Sequence, residues 1–216
     1  MILPKLEKDV LVINRKILFA DEKDVFQGFK MHYDADFQSR IKSSSEYIKR
    51  KFAEKDESFK QPVNYALILN PKTKKVYAYQ RTKSGLNYTE KRLQHKWSVG
   101  IGGHFDRDEE KESDPVYAGL IRELHEEVKI KDYTVKILGY INEDRDSVGM
   151  VHFGVVYLIL TEDIVCPNAE DCLSGSMKSI EEIKQITNAE NAALESWSVI
   201  ALDFLEKNIS EITQNC

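Results

Sequence analysis

Cysteine is scarce in this chain, and its three copies, Cys166, Cys172 and Cys216, fall in no ordered pattern. An odd count at such spacings excludes a disulfide framework and matches no cysteine-based zinc motif. Reduced thiols are the expectation, although Cys166 and Cys172 could pair across a loop under oxidation. Long apolar runs are also missing. None approaches the roughly 20 residues that a membrane-spanning helix needs, so no membrane association is expected. The first sixteen residues, MILPKLEKDVLVINRK, carry charges where a signal peptide would carry its apolar stretch, and a cytoplasmic protein is expected. There is no basic excess. The net charge of -5 argues against a stable complex with nucleic acid. Nor is there a glycine-rich phosphate loop: Gly100, Gly102 and Gly103 lack GxGxxG spacing and no lysine follows them. No internal repeat or low-complexity segment is present.

With 42% hydrophobic and 31% charged residues over 216 positions, the composition is that of one globular domain with appended elements. A change in pattern over residues 55–62 separates an N-terminal extension, 1–60, expected to pack on the core, from a main domain, 61–216. In the extension, Val10 to Ile13 is a short apolar run read as a strand. Phe26, Phe29, Tyr33 and Phe37 recur at spacings of a broken helix or an aromatic loop, suited to covering one edge of the core. Residues 36–54 have the apolar stripe of one amphipathic helix, weakened at Ser43-Ser44-Ser45. Strands then dominate. A buried strand over 65–69, turn residues over 70–74 and alternation over 75–82 define a hairpin ending at Arg81. Arg81 is either a solvated strand end or a phosphate contact. A strand from Trp97 runs into the glycine pair Gly102-Gly103, and after an acidic loop Asp114-Pro115 supplies N-cap and N1 chemistry for a helix over 115–128. Strands are expected over 133–141 and 148–160, and helices over 179–186 and 189–205. The order predicts an α/β protein with a mixed sheet and helices on its faces.

The helix over 115–128 carries the chemistry. At about 100° per residue, Tyr117, Leu120, Ile121, Leu124 and Val128 share one arc. Glu123, Glu126 and Glu127 fill the arc beside it, at i, i+3 and i+4. Like charges at that spacing repel and destabilise a helix unless something positive is held there. Arg122 can pair with Glu126 four residues on. Oxygen donors with no soft partner suit a hard cation, Mg2+ or Mn2+. Such ions share their coordination with substrate phosphates, and cleavage of a phosphate bond is the natural reaction class.

The stretch from Gly103 to Ile130 resembles the Nudix box, a glycine followed by a Glu and then Arg-Glu-aliphatic-x-Glu-Glu-x-Gly-aliphatic. Gly103, Arg122, Glu123, Leu124, Glu126, Glu127 and Ile130 match it as they stand. The resemblance implies a Nudix α/β/α sandwich with a mixed central sheet, and hydrolysis of a nucleoside diphosphate, or a similar diphosphate, linked to another group. It implies metal ligation by Glu123, Glu126 and Glu127 with help from the Gly103 carbonyl. Arg122 would orient a box glutamate. The general base would be Glu123 or Glu127, or else an acid in the turn over 143–146. Arg81 and His104 are candidate substrate contacts, His104 having a loop-fixing hydrogen bond as its alternative. The interval from Gly103 to the helix is longer than the pattern. Either Asp114 or Glu109 stands for the first glutamate, and Lys129 replaces the last glycine, so the helix is expected to end without a favourable left-handed residue. The GGHF form and lengthened loop resemble a branch of predicted Nudix phosphoesterases, with looser likeness at residues 148–157 and 195–198. A binding or regulatory module of the same fold without turnover is the competing expectation, and an isomerase of prenyl diphosphates a third. A small-molecule diphosphate is the expected partner. The N-terminal aromatics and the final helix offer surfaces on which two copies could pair.

Overall fold

A computed structural model describes residues 5–81, 95–105, 107–168, 174–188 and 192–214. Cys172, Cys216 and most of the 83–96 loop lie outside the described residues, as do the side chains of Asp108 and Glu109. The chain forms an α/β fold with a large sheet and, among the described residues, six α-helices. Its backbone divides into two compact units. Unit 1 comprises residues 1–65, 102–121 and 137–156; unit 2 comprises 66–101, 122–136 and 157–216.

In unit 1, strand β1 (Asp9–Asn14) pairs antiparallel with β3 (Ser45–Lys49) and, at Ile13 and Asn14, with the start of β4 (Phe59–Asn70). Residues 36–54 are therefore not one helix. Helix α2 (Phe37–Ser44) stops at the serine run, β3 follows, and α3 (Arg50–Ala53) is a single turn. The serines compete for backbone hydrogen bonds and weaken the helix, and β1 supplies the segment with a ladder instead. The residues around Phe29 are not helical either: β2 (Gly28–Met31) pairs with β9 (Thr134–Asn142). Phe26 and Phe37 turn inward. Phe37 lies 5.0 Å from Tyr140 and 5.1 Å from Phe153 between ring centroids, both edge to face, with Phe19 and Phe26 completing the cluster. Strand β10 (His152–Leu160) begins in this unit and is buried along its whole length.

Glycine is required where the box begins. A Cβ on Gly102 would stand 1.9 Å from the backbone oxygen of Asn64, and the next residue's carbonyl, that of Gly103, accepts a 3.0 Å hydrogen bond from the Asn64 amide. Gly102→Ala should therefore force β4 and the glycine loop apart, at a cost of about 3 kcal/mol. The check is a lower denaturant midpoint. An unchanged midpoint would mean that the loop does not approach β4 this closely. Gly149 is equally confined, because a Cβ there would lie 1.7 Å from the Glu143 oxygen.

Unit 2 holds the expected hairpin. The rest of β4 pairs with β5 (Lys75–Gln80), Asn70 Oδ1 accepts from the amides of Lys72 and Thr73 in the turn, and β12 (Ser176–Lys178) lies on the far side of β5. Short strands β6 (Trp97–Ser98) and β7 (Gly100–Ile101) pair with β5 and β4. Helix α5 (Ile180–Asn188) matches its expected place. Helix α6 (Ser196–Gln214) starts later than its periodicity indicated and continues beyond Leu205. No helix among the described residues is long and apolar enough to cross a membrane.

Candidate functional site

Helix α4 (Pro115–Glu127) forms where its sequence places it. The Asp114 carboxylate accepts from the Tyr117 amide at 3.1 Å, closing the N-terminus. Leu120, Leu124 and Val128 are fully buried, which sets the rotation of the helix and leaves its acids on the neighbouring arc. The C-terminus ends without a left-handed residue. Val128 and Lys129 pass straight into β8 (Val128–Lys129), paired with β11 (Cys166–Pro167), and Asn168 caps the helix from the same connection. Its amide donates to the Glu127 carbonyl at 2.8 Å and its side chain to the His125 carbonyl at 2.9 Å. Those contacts satisfy the end carbonyls that a Schellman glycine would otherwise help to satisfy. The replacement of the box glycine by Lys129 therefore carries no left-handed strain.

At the C-terminal end of α4, Arg122 Nη1 donates to Glu123 at 2.8 Å and to Glu126 at 3.2 Å. The Arg122–Glu126 pair is the one its spacing predicts, and Glu123 is an additional partner. The Glu123 side chain is only 15% exposed, whereas that of Glu126 is 59% exposed. Burial pushes the Glu123 carboxyl up to about 7; Arg122 pulls it down and the charges of Glu126 and Glu127 add to the rise. A carboxylate whose burial and neighbours oppose its own charge gains from a nearby cation. Glu123, Glu126 and Glu127 are oxygen donors of the kind a hard divalent ion takes, whereas the group of three ligand atoms within 4.8 Å of one another among the described residues is Glu54, His104 and His152.

The turn over 143–146 competes poorly for the role of base. Asp144 is raised by burial, but hydrogen bonds from Arg15 at 2.9 Å and Lys60 at 2.6 Å outweigh that and hold it at about 2. Hydrogen bonds from Arg145 likewise hold Glu143 below its ordinary range despite its burial. Acids held so firmly ionised are weak proton acceptors near neutral pH.

Arg81 is not a solvated strand end. In unit 2 its guanidinium pairs with the buried Glu195 and lies over the Tyr79 ring, 5.5 Å from its centroid. The Glu195-Ser196-Trp197-Ser198 segment thus has a physical explanation: Glu195 holds Arg81, Trp197 is buried, and Ser198 Oγ accepts from the Val99 amide at 3.1 Å. His104, in unit 1, is bridged by its backbone to Val63, and its Nε2 lies 3.1 Å from Nε2 of His152. Burial, then the charge of Arg50, keeps the His104 ring neutral by lowering its pKa well below the ordinary value. His152 and Glu54 had drawn no pairing from the sequence. They are remote from each other along the chain, and only the fold brings them together.

The architecture is that of a Nudix protein. It matches the crystal structure of Tm1382, described as a candidate Nudix hydrolase, with a TM-score of 0.74 at 24% identity over 93% of this chain and 99% of that one. It also matches the Nudix domain of Shewanella oneidensis NrtR, solved with ADP-ribose, with a TM-score of 0.50 at 16% identity, covering 68% of this chain and 88% of that one. No family model matches the sequence. Bacillus subtilis protein YmaB is 31% identical over 217 aligned positions, covering 94% of this chain and 99% of YmaB. With a Nudix fold and an intact Arg-Glu-Leu-His-Glu-Glu core, the chain belongs to one family with YmaB, which it matches over nearly the whole length of both.

Proposed function

We propose that the protein is a Mg2+-dependent hydrolase of a diphosphate linkage, acting on a nucleoside diphosphate joined to another group or on a similar phosphorylated metabolite. The feature that carries this reading is the placing of Glu123, Glu126 and Glu127 on the last turns of α4, with Arg122 bonded to Glu123 and Glu126. These carboxylates would hold the metal, with Mn2+ as a substitute. When bound, the metal supplies an activated water and neutralises diphosphate charge. Arg122 keeps the Glu123 and Glu126 carboxylates in fixed directions. Glu123 or Glu127 would take the proton of the attacking water. Arg81, aimed by Glu195, would meet a substrate phosphate. A site in the cell's soluble phase suits such a substrate.

The test is phosphate release over a panel of nucleoside diphosphate sugars including ADP-ribose, dinucleoside polyphosphates, nucleotide cofactors and nucleoside triphosphates. One class should be cleaved with Mg2+ and none after chelation. Tight binding of a panel member without release would favour a ligand-binding module instead.

A further inference from the structure

Unit 1 contains a second group of metal-ligating side chains that the box chemistry does not use. Glu54 closes α3, His104 follows the glycine pair, and His152 opens β10. One ligand atom from each lies within 4.8 Å of the other two. The Nε2 atoms of His104 and His152 are 3.1 Å apart, and Glu54 Oε1 is 3.8 Å from His152 Nε2. Zinc–nitrogen bonds of about 2.0–2.1 Å place tetrahedral ligands roughly 3.3 Å from one another. The two edges lie on either side of that value, so only small side-chain adjustments would be needed.

The supporting contacts also suit ligands. His152 Nδ1 lies 2.7 Å from the Val148 carbonyl, and a donor there fixes the tautomer and leaves the Nε2 lone pair facing His104 and Glu54. The Glu54 carboxylate is aimed by Arg50, whose Nε donates to Oε1 at 2.9 Å. His104 is held by its backbone bridge to Val63. His152 is 4% exposed and the Glu54 side chain 15%, so the group is shielded from bulk water. Arg50 opposes a cation here, and its pairing with Glu54 offsets that only in part, so binding should be weaker than at a structural zinc site.

We infer that Glu54, His104 and His152 form a site for one divalent transition-metal ion of the zinc type, separate in its ligands from the box carboxylates. Two imidazoles and one carboxylate leave a fourth position for water or a ligand oxygen. The donor set favours zinc or cobalt over magnesium, which prefers oxygen alone. In this assignment His104 serves a metal rather than a substrate. The competing arrangement is a plain hydrogen bond from His104 Nε2–H to His152.

Cobalt chloride titrated into the metal-stripped full chain provides the probe. Tetrahedral ligand-field absorption should saturate at one equivalent and be displaced by zinc. His152→Gln and Glu54→Gln should weaken it roughly tenfold or more, and Glu127→Gln should leave it in place. Circular dichroism and melting of the metal-free variants establish that they fold. Should either variant fail to fold, X-ray absorption of the zinc-loaded wild type reads the ligands directly and should show two imidazoles. Absence of the cobalt band in the wild type, its persistence at full strength in a folded His152→Gln, its loss in Glu127→Gln alone, or an all-oxygen zinc shell would each overturn the assignment.

Discussion

Replacing Glu127 by glutamine should lower Mg2+-dependent turnover by at least about 100-fold and leave the protein folded. Glutamine keeps the shape and removes the charge, so the effect isolates what the carboxylate does. The helix end has supports besides this side chain. The Glu127 carbonyl is held by the Asn168 amide, and the apolar anchors Leu120, Leu124 and Val128 lie on the other arc. Steady-state rates across a range of Mg2+ concentrations, with melting temperature as the folding control, make the comparison. A purely structural role for the acidic arc predicts equal rates in both proteins. A metal role predicts that excess Mg2+ restores little of the loss, because the missing ligand also lowers the rate once metal is bound.

The second large effect is on stability. Lys60 is fully buried, and its ammonium donates to Asp144 at 2.6 Å, to the Gly149 carbonyl at 2.6 Å and to the His152 carbonyl at 3.2 Å. Burial lowers the Lys60 pKa more than Asp144 raises it, so the charge is held at a cost that its three acceptors offset. Lys60→Met removes the ammonium and leaves two carbonyls and a carboxylate facing an apolar chain. The expected loss is about 3–5 kcal/mol, read as a fall in the urea midpoint. Arg15 and Asn142 also bind Asp144, which sets the loss nearer the lower end. A change below about 1 kcal/mol, the level of an exposed pair, would mean that the ammonium is not buried in this network. The same cluster predicts acid sensitivity. The folded pKa of Asp144, about 2, lies below its ordinary value of 3.8. Its contribution, on the order of 2 kcal/mol, is therefore present above pH 4 and lost as pH falls towards 2.

Local signals in the sequence located the elements whose causes are local. Helix α4 has its cap at Asp114, its proline at N1 and its buried arc all within or beside its own thirteen residues, and it forms where they place it. The 70–74 turn is likewise built by Asn70 on its own neighbours. Elements with distant partners were harder to read. Residues 45–49 have a helical stripe, yet they become a strand because β1 offers its edge, and no local feature announces that pairing. Lys129 looked like a strained helix end because Asn168, which caps the helix, is far along the chain. The box carboxylates and Arg122 were legible as a charge pattern on one helix. Glu195 beneath Arg81, and Glu54 beside His104 and His152, come from elements separated in sequence, and only folding brings them together.

The central claim is that water attacks a phosphorus of a diphosphate linkage under the control of the α4 carboxylates. It is tested most directly by running the best substrate of the panel to completion in 18O-labelled water with Mg2+ and reading the products by 31P NMR. Hydrolysis of the linkage predicts one 18O in one product phosphate, and no products with Glu127→Gln over the same time. Products without label at phosphorus, or labelled products formed equally by Glu127→Gln, would contradict it.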